Sequence, residues 1–172
     1  MAYRTKTYIA GDWTGDSDLI DQLYAWNESS YWGLNFNDAH ELTQARDTSL
    51  NCSIKKPLRE RLDASKSFVL VVRPDTDDLR AGSCAYCRDY GGYHRHCYRG
   101  HPLDMRSYIH YECEYAAENI GRIVVLYNLP RVDRDLCPEP LRWRGKHLPA
   151  FRMNDDGTAT WCYQEIKDAI CG

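Results

Sequence analysis

Two runs of consecutive apolar, mostly β-branched residues, Phe68-Val69-Leu70-Val71-Val72 and Ile123-Val124-Val125-Leu126, constrain this chain more than any other feature of it. A strand with one face in water alternates apolar and polar residues. A run without alternation must be covered on both faces, which is the environment of a central strand in a parallel sheet. Parallel neighbours need a crossover, and such crossovers are right-handed. The segments around the two runs supply further strands at Lys6–Ala10, Leu34–Phe36 and His147–Met153, for an open parallel sheet of about five strands with helices on both faces. Leu19, Ile20, Leu23 and Trp26 recur at helical spacing in a helix that Asp16 or Ser17 can cap. Leu50, Ile54, Leu58 and Leu62 mark a second helix, where Pro57 predicts a kink or a division into two. Trp161, Ile166, Ala169 and Ile170 are the inward positions of a last helix.

The remaining helix, within Met105–Ile120, carries the candidate site. Ile109, Cys113, Ala116 and Ile120 form its apolar stripe. Glu114 and Glu118 lie roughly 130° and 170° from the centre of that stripe, whereas Glu112 lies only about 70° away, at the border of the packed face. A border glutamate can simply pair with Arg106 or Arg122, or reach solvent. It can equally look into a cleft and be partly desolvated there. In an open parallel sheet the ligand crevice lies beyond the carboxyl ends of the strands. The start of this helix, with Tyr108 and Glu112, shares that rim with the loops bearing Gly11, Asp12 and Trp13 and then Asn37 and Asp38. Each has an ordinary structural reading as well. Asp12 and Trp13 suit a turn, Asp38 can cap the turn after Asn37, Tyr108 can pack without touching a ligand, and Arg46 suits an exposed surface.

Composition narrows the chemistry. At 172 residues the chain is read as one domain, 1–172, with a long aperiodic, Cys/His-rich stretch at about 73–103 read as an insertion into it. A net charge of −3 and a pI near 6.1 argue against nucleic acid held on a basic face. Five consecutive apolar residues are too few to span a bilayer, and the N-terminus lacks the apolar core of a leader, so the expected location is cytoplasmic. No phosphate-binding loop, glycine-rich dinucleotide fingerprint or nucleophile elbow is present. What remains is a carboxylate among aromatic and polar neighbours. Ordinary glycosides usually need two carboxylates, because the leaving oxygen must be protonated. The N-glycosidic bond of NAD needs no such proton, and one carboxylate near the ribose could stabilise the developing oxocarbenium ion.

The ordered segments KTYIAGDW, LNFNDAHELTQARDTSL, IKKPLRERLDASKSFVLVV and YIHYECEYAAENIGRIVVLYNLP resemble the TIR-like family of bacteria, especially the TIR proteins of Thoeris anti-phage systems. Tyr108-Ile109-His110-Tyr111-Glu112 is similar to the aromatic-x-x-x-Glu pattern that opens the catalytic helix of NAD-cleaving TIR domains, with tyrosine where tryptophan is more usual. The resemblance implies a flavodoxin-like fold with Glu112 as the catalytic glutamate of an NAD glycohydrolase or ADP-ribosyl cyclase. It also implies a mobile loop at 37–48, activity that rises on self-assembly, and a separate effector protein that reads the nucleotide product. Two other readings compete: a non-catalytic TIR assembly module, in which Glu112 is a solvated charge, and a zinc-dependent regulatory protein.

The last reading comes from the stretch between Ser83 and His101. Cys84 and Cys87 supply half of a tetrahedral zinc site, Cys97 is a natural third ligand, and His94, His96 or His101 could be the fourth, with His94 the first choice. A glycine- and tyrosine-rich loop with free thiols is the plain alternative. A redox pair is disfavoured, because such a pair opens a helix after the first strand.

Overall fold

The computed structural model describes residues 4–13, 15–42, 51–91 and 95–172. Its centre is a parallel sheet of four strands in the order β1-β2-β3-β4, comprising β1 (Lys6–Ala10), β2 (Ser65–Val72), β3 (Arg122–Tyr127) and β4 (Lys146–Pro149). The two unalternating runs are the two inner strands, paired from Ser67↔Arg122 to Val72↔Tyr127. Side chains along these strands divide between two cores. Tyr8, Phe68, Leu70, Val72, Val125 and Tyr127 face α2 (Asn51–Asp63) and α3 (Tyr108–Asn119). Ile9, Val69, Val71, Val124 and Leu126 face α1 (Ser17–Glu28) and α4 (Tyr163–Cys171). Helices therefore cover both faces, the flavodoxin-like arrangement of TIR domains.

The expected strand at Leu34–Phe36 does not form. Asn35 adopts φ 52°, a left-handed conformation that ends any extended run, and Gly33 before it has φ 55°. The backbone of Phe36 is instead bonded by one side chain of α1. Asn27 Nδ2 donates to the Phe36 carbonyl at 3.1 Å, and its Oδ1 accepts from the Phe36 amide at 2.8 Å. Leu34 and Phe36 still bury their side chains, so an alternating apolar pattern is satisfied without a strand. The segment reaches the edge of β1 at a single bridge, Thr7↔Asp38, where the Thr7 amide donates to the Asn37 carbonyl at 2.7 Å.

Two other boundaries differ from expectation. His147–Met153 is not one strand: β4 ends at Pro149, and β5 (Phe151–Met153) pairs antiparallel with β6 (Ala159–Trp161), which displaces Trp161 from the last helix into a strand. α2 contains Pro57 as one helix and is not divided into two. An interior proline costs about 3 kcal/mol. Leu58 and Leu62, just beyond it, are both buried, and burying a leucine is worth roughly 1.5–3 kcal/mol, so packing offsets the defect. Leu50, the first residue of that apolar pattern, lies outside the described residues.

α3 starts at Tyr108. Ser107 caps it, its Oγ accepting from the His110 amide at 3.2 Å, and Ile109, Cys113, Ala116 and Ile120 are buried as the stripe requires. The connection from β2 to α3 contains, among its described residues, only 3-10 turns at Thr76–Asp78 and Cys84–Tyr86 and an isolated His96↔Pro102 bridge. Among the described residues no helix is long and apolar enough to cross a membrane.

Candidate active site

Beyond the carboxyl end of β1 lies a cavity of about 740 Å³, walled by β1 and the loop after it, α2, α3 and the β2–α3 connection. That volume suits a small-molecule ligand. Asp12, Trp13, Tyr108 and Glu112 all line it, whereas Asn37 and Asp38 do not.

Glu112 is more deeply placed than a border position suggests, with 7 % of its surface exposed. Neither arginine expected as an alternative partner reaches it. Arg106 pairs with Asp104 and with Glu114, and Arg122 donates to the Ile170 carbonyl. Its hydrogen-bond donor is Tyr8 on β1, whose hydroxyl donates to Glu112 Oε1 at 2.7 Å. Burial pushes the Glu112 carboxyl up to about 7, against the Tyr8 hydrogen bond and the positive charge of Arg61 on α2. A buried carboxylic acid poised near neutrality in a cavity is a mark of a functional site. Burial, followed by the neighbouring Glu112 charge, holds the Tyr8 hydroxyl well above its ordinary value, so it remains a donor.

Tyr8 is fixed by strand packing: its ring stacks on Phe68 at 5.7 Å with planes 8° apart. On its other side stands His40, ring centroids 5.0 Å apart, in the 3-10 turn Ala39–Leu42. His40 in turn meets the ring of Trp13 edge-on at 5.0 Å. Trp13 is 46 % exposed, so one wall of the cavity is an open aromatic surface.

Asn37 and Asp38 stand one step behind the cavity wall. Asn37 contributes its carbonyl to Thr7, whereas Asp38 organises the aromatic wall. Its Oδ1 accepts from the His40 amide at 2.9 Å and lies 3.0 Å from His40 Nδ1, and its Oδ2 accepts from the Tyr24 hydroxyl at 2.8 Å. Burial acts to raise the Asp38 carboxyl, but the His40 and Tyr24 hydrogen bonds outweigh it and hold the group below its ordinary value. Asp38 therefore remains an anion and fixes the imidazole.

Asp12 is 3.0 Å from Arg73 at the end of β2, and its amide donates to Asp16 Oδ2 at 3.2 Å. Asp16 is fully buried, and burial raises its carboxyl to about 6. Tyr108 is held from below, its amide donating to the Ala81 carbonyl at 2.7 Å while its ring lies over Gly82. Sequence reasoning missed Tyr8, His40 and Arg61. Tyr8 was readable in principle, since it lies on the α3-facing side of β1, but alternation cannot tell a core tyrosine from one that holds a carboxylate.

Among the described residues no three His, Cys, Asp or Glu side chains are arranged around a metal-holding point. Cys84, Cys87, Cys97 and His101 line one small cavity in the β2–α3 connection. His94, the first choice for a fourth ligand, lies outside the described residues, as do Arg46 and the rest of the 37–48 loop from residue 43 on.

Residues 7–81, which contribute β1, α1, α2, β2 and the front wall of the cavity, match the family model described as Thoeris protein ThsB, TIR-like domain. No curated protein matches the chain.

Proposed function

From the premise that the chain carries a TIR-like domain resembling that of the Thoeris proteins, we propose that it cleaves NAD with Glu112 as its catalytic residue, as a glycohydrolase or ADP-ribosyl cyclase in antiviral defence. The observation that carries the reading is the buried Glu112 carboxyl in a ligand-sized cavity, held by Tyr8.

With Oε1 occupied by Tyr8, Oε2 is the oxygen left for substrate. Set against the ribose that bears nicotinamide, it accepts from a sugar hydroxyl and stabilises positive charge developing at the anomeric carbon. The bond between that carbon and the pyridinium nitrogen breaks with its electron pair going to nitrogen, so nicotinamide leaves neutral and no general acid is required. A nucleophile then takes the vacated carbon. Water gives ADP-ribose, and a nucleophile within the same molecule gives a cyclic product. The low dielectric that raises the Glu112 carboxyl also strengthens its ionised form as a partner for a cation. Trp13 offers a face on which a planar base can stack, and Arg61 and Asp12 give the cavity a cationic and an anionic side. Self-assembly would complete the pocket, and a separate effector protein would read the product.

The test is incubation of the full chain with NAD over a range of protein concentrations, following nicotinamide by chromatography and the second product by mass spectrometry. Release by the parent protein and loss in Glu112→Ala are expected. No release under any assembling condition, or equal release by the variant, returns the chain to a non-catalytic assembly module.

A further inference from the structure

The connection between β2 and α3 brings together two short turns, each presenting two side chains of the kind that bind soft or borderline metals. In the first, Cys84-Ala85-Tyr86-Cys87, a 3-10 turn is closed by the Cys87 amide donating to the Cys84 carbonyl at 3.0 Å. Ser83 caps that turn, accepting from the Ala85 amide at 3.3 Å. In the second, Cys97-Tyr98-Arg99-Gly100-His101, the Gly100 amide donates to the Cys97 carbonyl at 2.9 Å, and the Cys97 amide to the His101 carbonyl at 2.9 Å. Gly100 takes φ 77°, the left-handed conformation that lets the chain reverse so tightly between the two residues. The turns lie ten residues apart in sequence but share one cavity, lined by Cys84, Cys87, Cys97 and His101. Its volume is about 10 Å³, room for one small occupant and too little for an organic ligand.

A further observation concerns the sulfur itself. The Asp104 amide donates to Cys84 Sγ at 3.3 Å, and the Cys84 amide returns a bond to the Asp104 carbonyl at 2.9 Å. Amide donation to sulfur stabilises a thiolate, and it orients metal-bound cysteines as an outer shell does. No strand pairing or apolar cluster accounts for Cys87 and Cys97, which are partly exposed.

We propose that Cys84, Cys87, Cys97 and His101 bind one zinc ion. The ligand set is three sulfurs and one imidazole nitrogen, which suits zinc in a closed tetrahedral site. On binding, the three thiols give up their protons to solvent and His101 ligates as the neutral imidazole. The four groups line one cavity but are not arranged about a single point, so binding requires their side chains to turn inward while the backbone turns stay as they are. The role is structural. Asp104 forms a 3.0 Å ion pair with Lys55 of α2, and Ala81 and Gly82 carry Tyr108 of α3, so fixing this connection fixes one wall of the Glu112 cavity. The metal site stands whether or not the cavity cleaves NAD.

The test is metal content of the full chain, purified without chelator and then equilibrated with zinc and passed over a desalting column. One zinc per chain is expected for the parent and for His96→Ala and Cys171→Ser. Loss is expected for Cys97→Ser and His101→Ala. Because a cysteine variant can fail to fold, the parent chain is also stripped and loaded with cobalt. Intense ligand-field bands of a tetrahedral site with a sulfur-to-cobalt charge-transfer band are expected, displaced by an equivalent of zinc. Zinc well below one per chain after equilibration, an octahedral cobalt spectrum, or loss in His96→Ala with retention in His101→Ala overturns the assignment.

Discussion

At the scale of single residues the account rests on two groups 2.7 Å apart, Tyr8 and Glu112, both largely buried at the wall of the cavity. The hydroxyl bond is one of the influences that hold the Glu112 carboxyl down against burial. Removing it in Tyr8→Phe therefore leaves burial less opposed, and the ionisation in the pH profile of kcat/KM for nicotinamide release moves to higher pH. An unchanged midpoint would show that Tyr8 packs without tuning. Glu112 also sets a stability trend. Its carboxyl titrates at about 7 in the fold against an ordinary 4.5, so between those values the unfolded chain binds fewer protons than the folded one. Stability contributed by the protonated group is complete below about 4.5 and is lost as pH rises through 7. Glu112→Gln cannot ionise, so it should melt above the parent at pH 8 by on the order of 3 kcal/mol and match it near pH 4. Thermal denaturation at the two pH values checks this, and a variant less stable at pH 8 contradicts it.

Among the elements, the short ones hold the surprises. Phe68–Val72 and Ile123–Leu126 became the inner strands, because a short unalternating run rich in β-branched residues suits a strand covered on both faces. Leu34-Asn35-Phe36 looked like a strand for the converse reason: alternation reports which side chains are buried, not which groups satisfy the backbone. Asn27 does so here, from a helix, at a distance in sequence that periodicity does not see. Asn27→Ala should cost about 1–3 kcal/mol by leaving both Phe36 backbone groups without their bonds. It should also loosen the turn that presents Asp38 and His40, raising KM for substrate more than it lowers kcat. Urea denaturation and steady-state kinetics separate the two effects, and unchanged stability would mean that water replaces Asn27 without loss. Glu112 was legible from its angle on α3 together with the strand order. Its depth was not, because burial is set by packing against other elements, β1 with Tyr8 among them. Asp38 was expected at the ligand and instead bonds His40 and Tyr24 behind the cavity wall, since a carboxylate that orients a wall residue and one that touches ligand look alike in sequence.

For the whole molecule, the parallel sheet explains why these pieces meet. β1 supplies Tyr8 and the Asp12–Trp13 loop, α2 supplies Arg61, and the crossover from β2 to β3 supplies Tyr108 and Glu112, all at one end of the sheet. The central claim is that this end of the sheet is a catalytic cavity whose working group is one buried carboxylate. The most direct measurement is the rate of nicotinamide release from NAD by parent and Glu112→Gln chains at matched concentration, with the thermal midpoint of each recorded in the same buffer. The account predicts release by the parent, a loss of about a hundredfold or more in the variant, and a variant midpoint at or above that of the parent. Release from NAD at the same rate by both well-folded chains would contradict it.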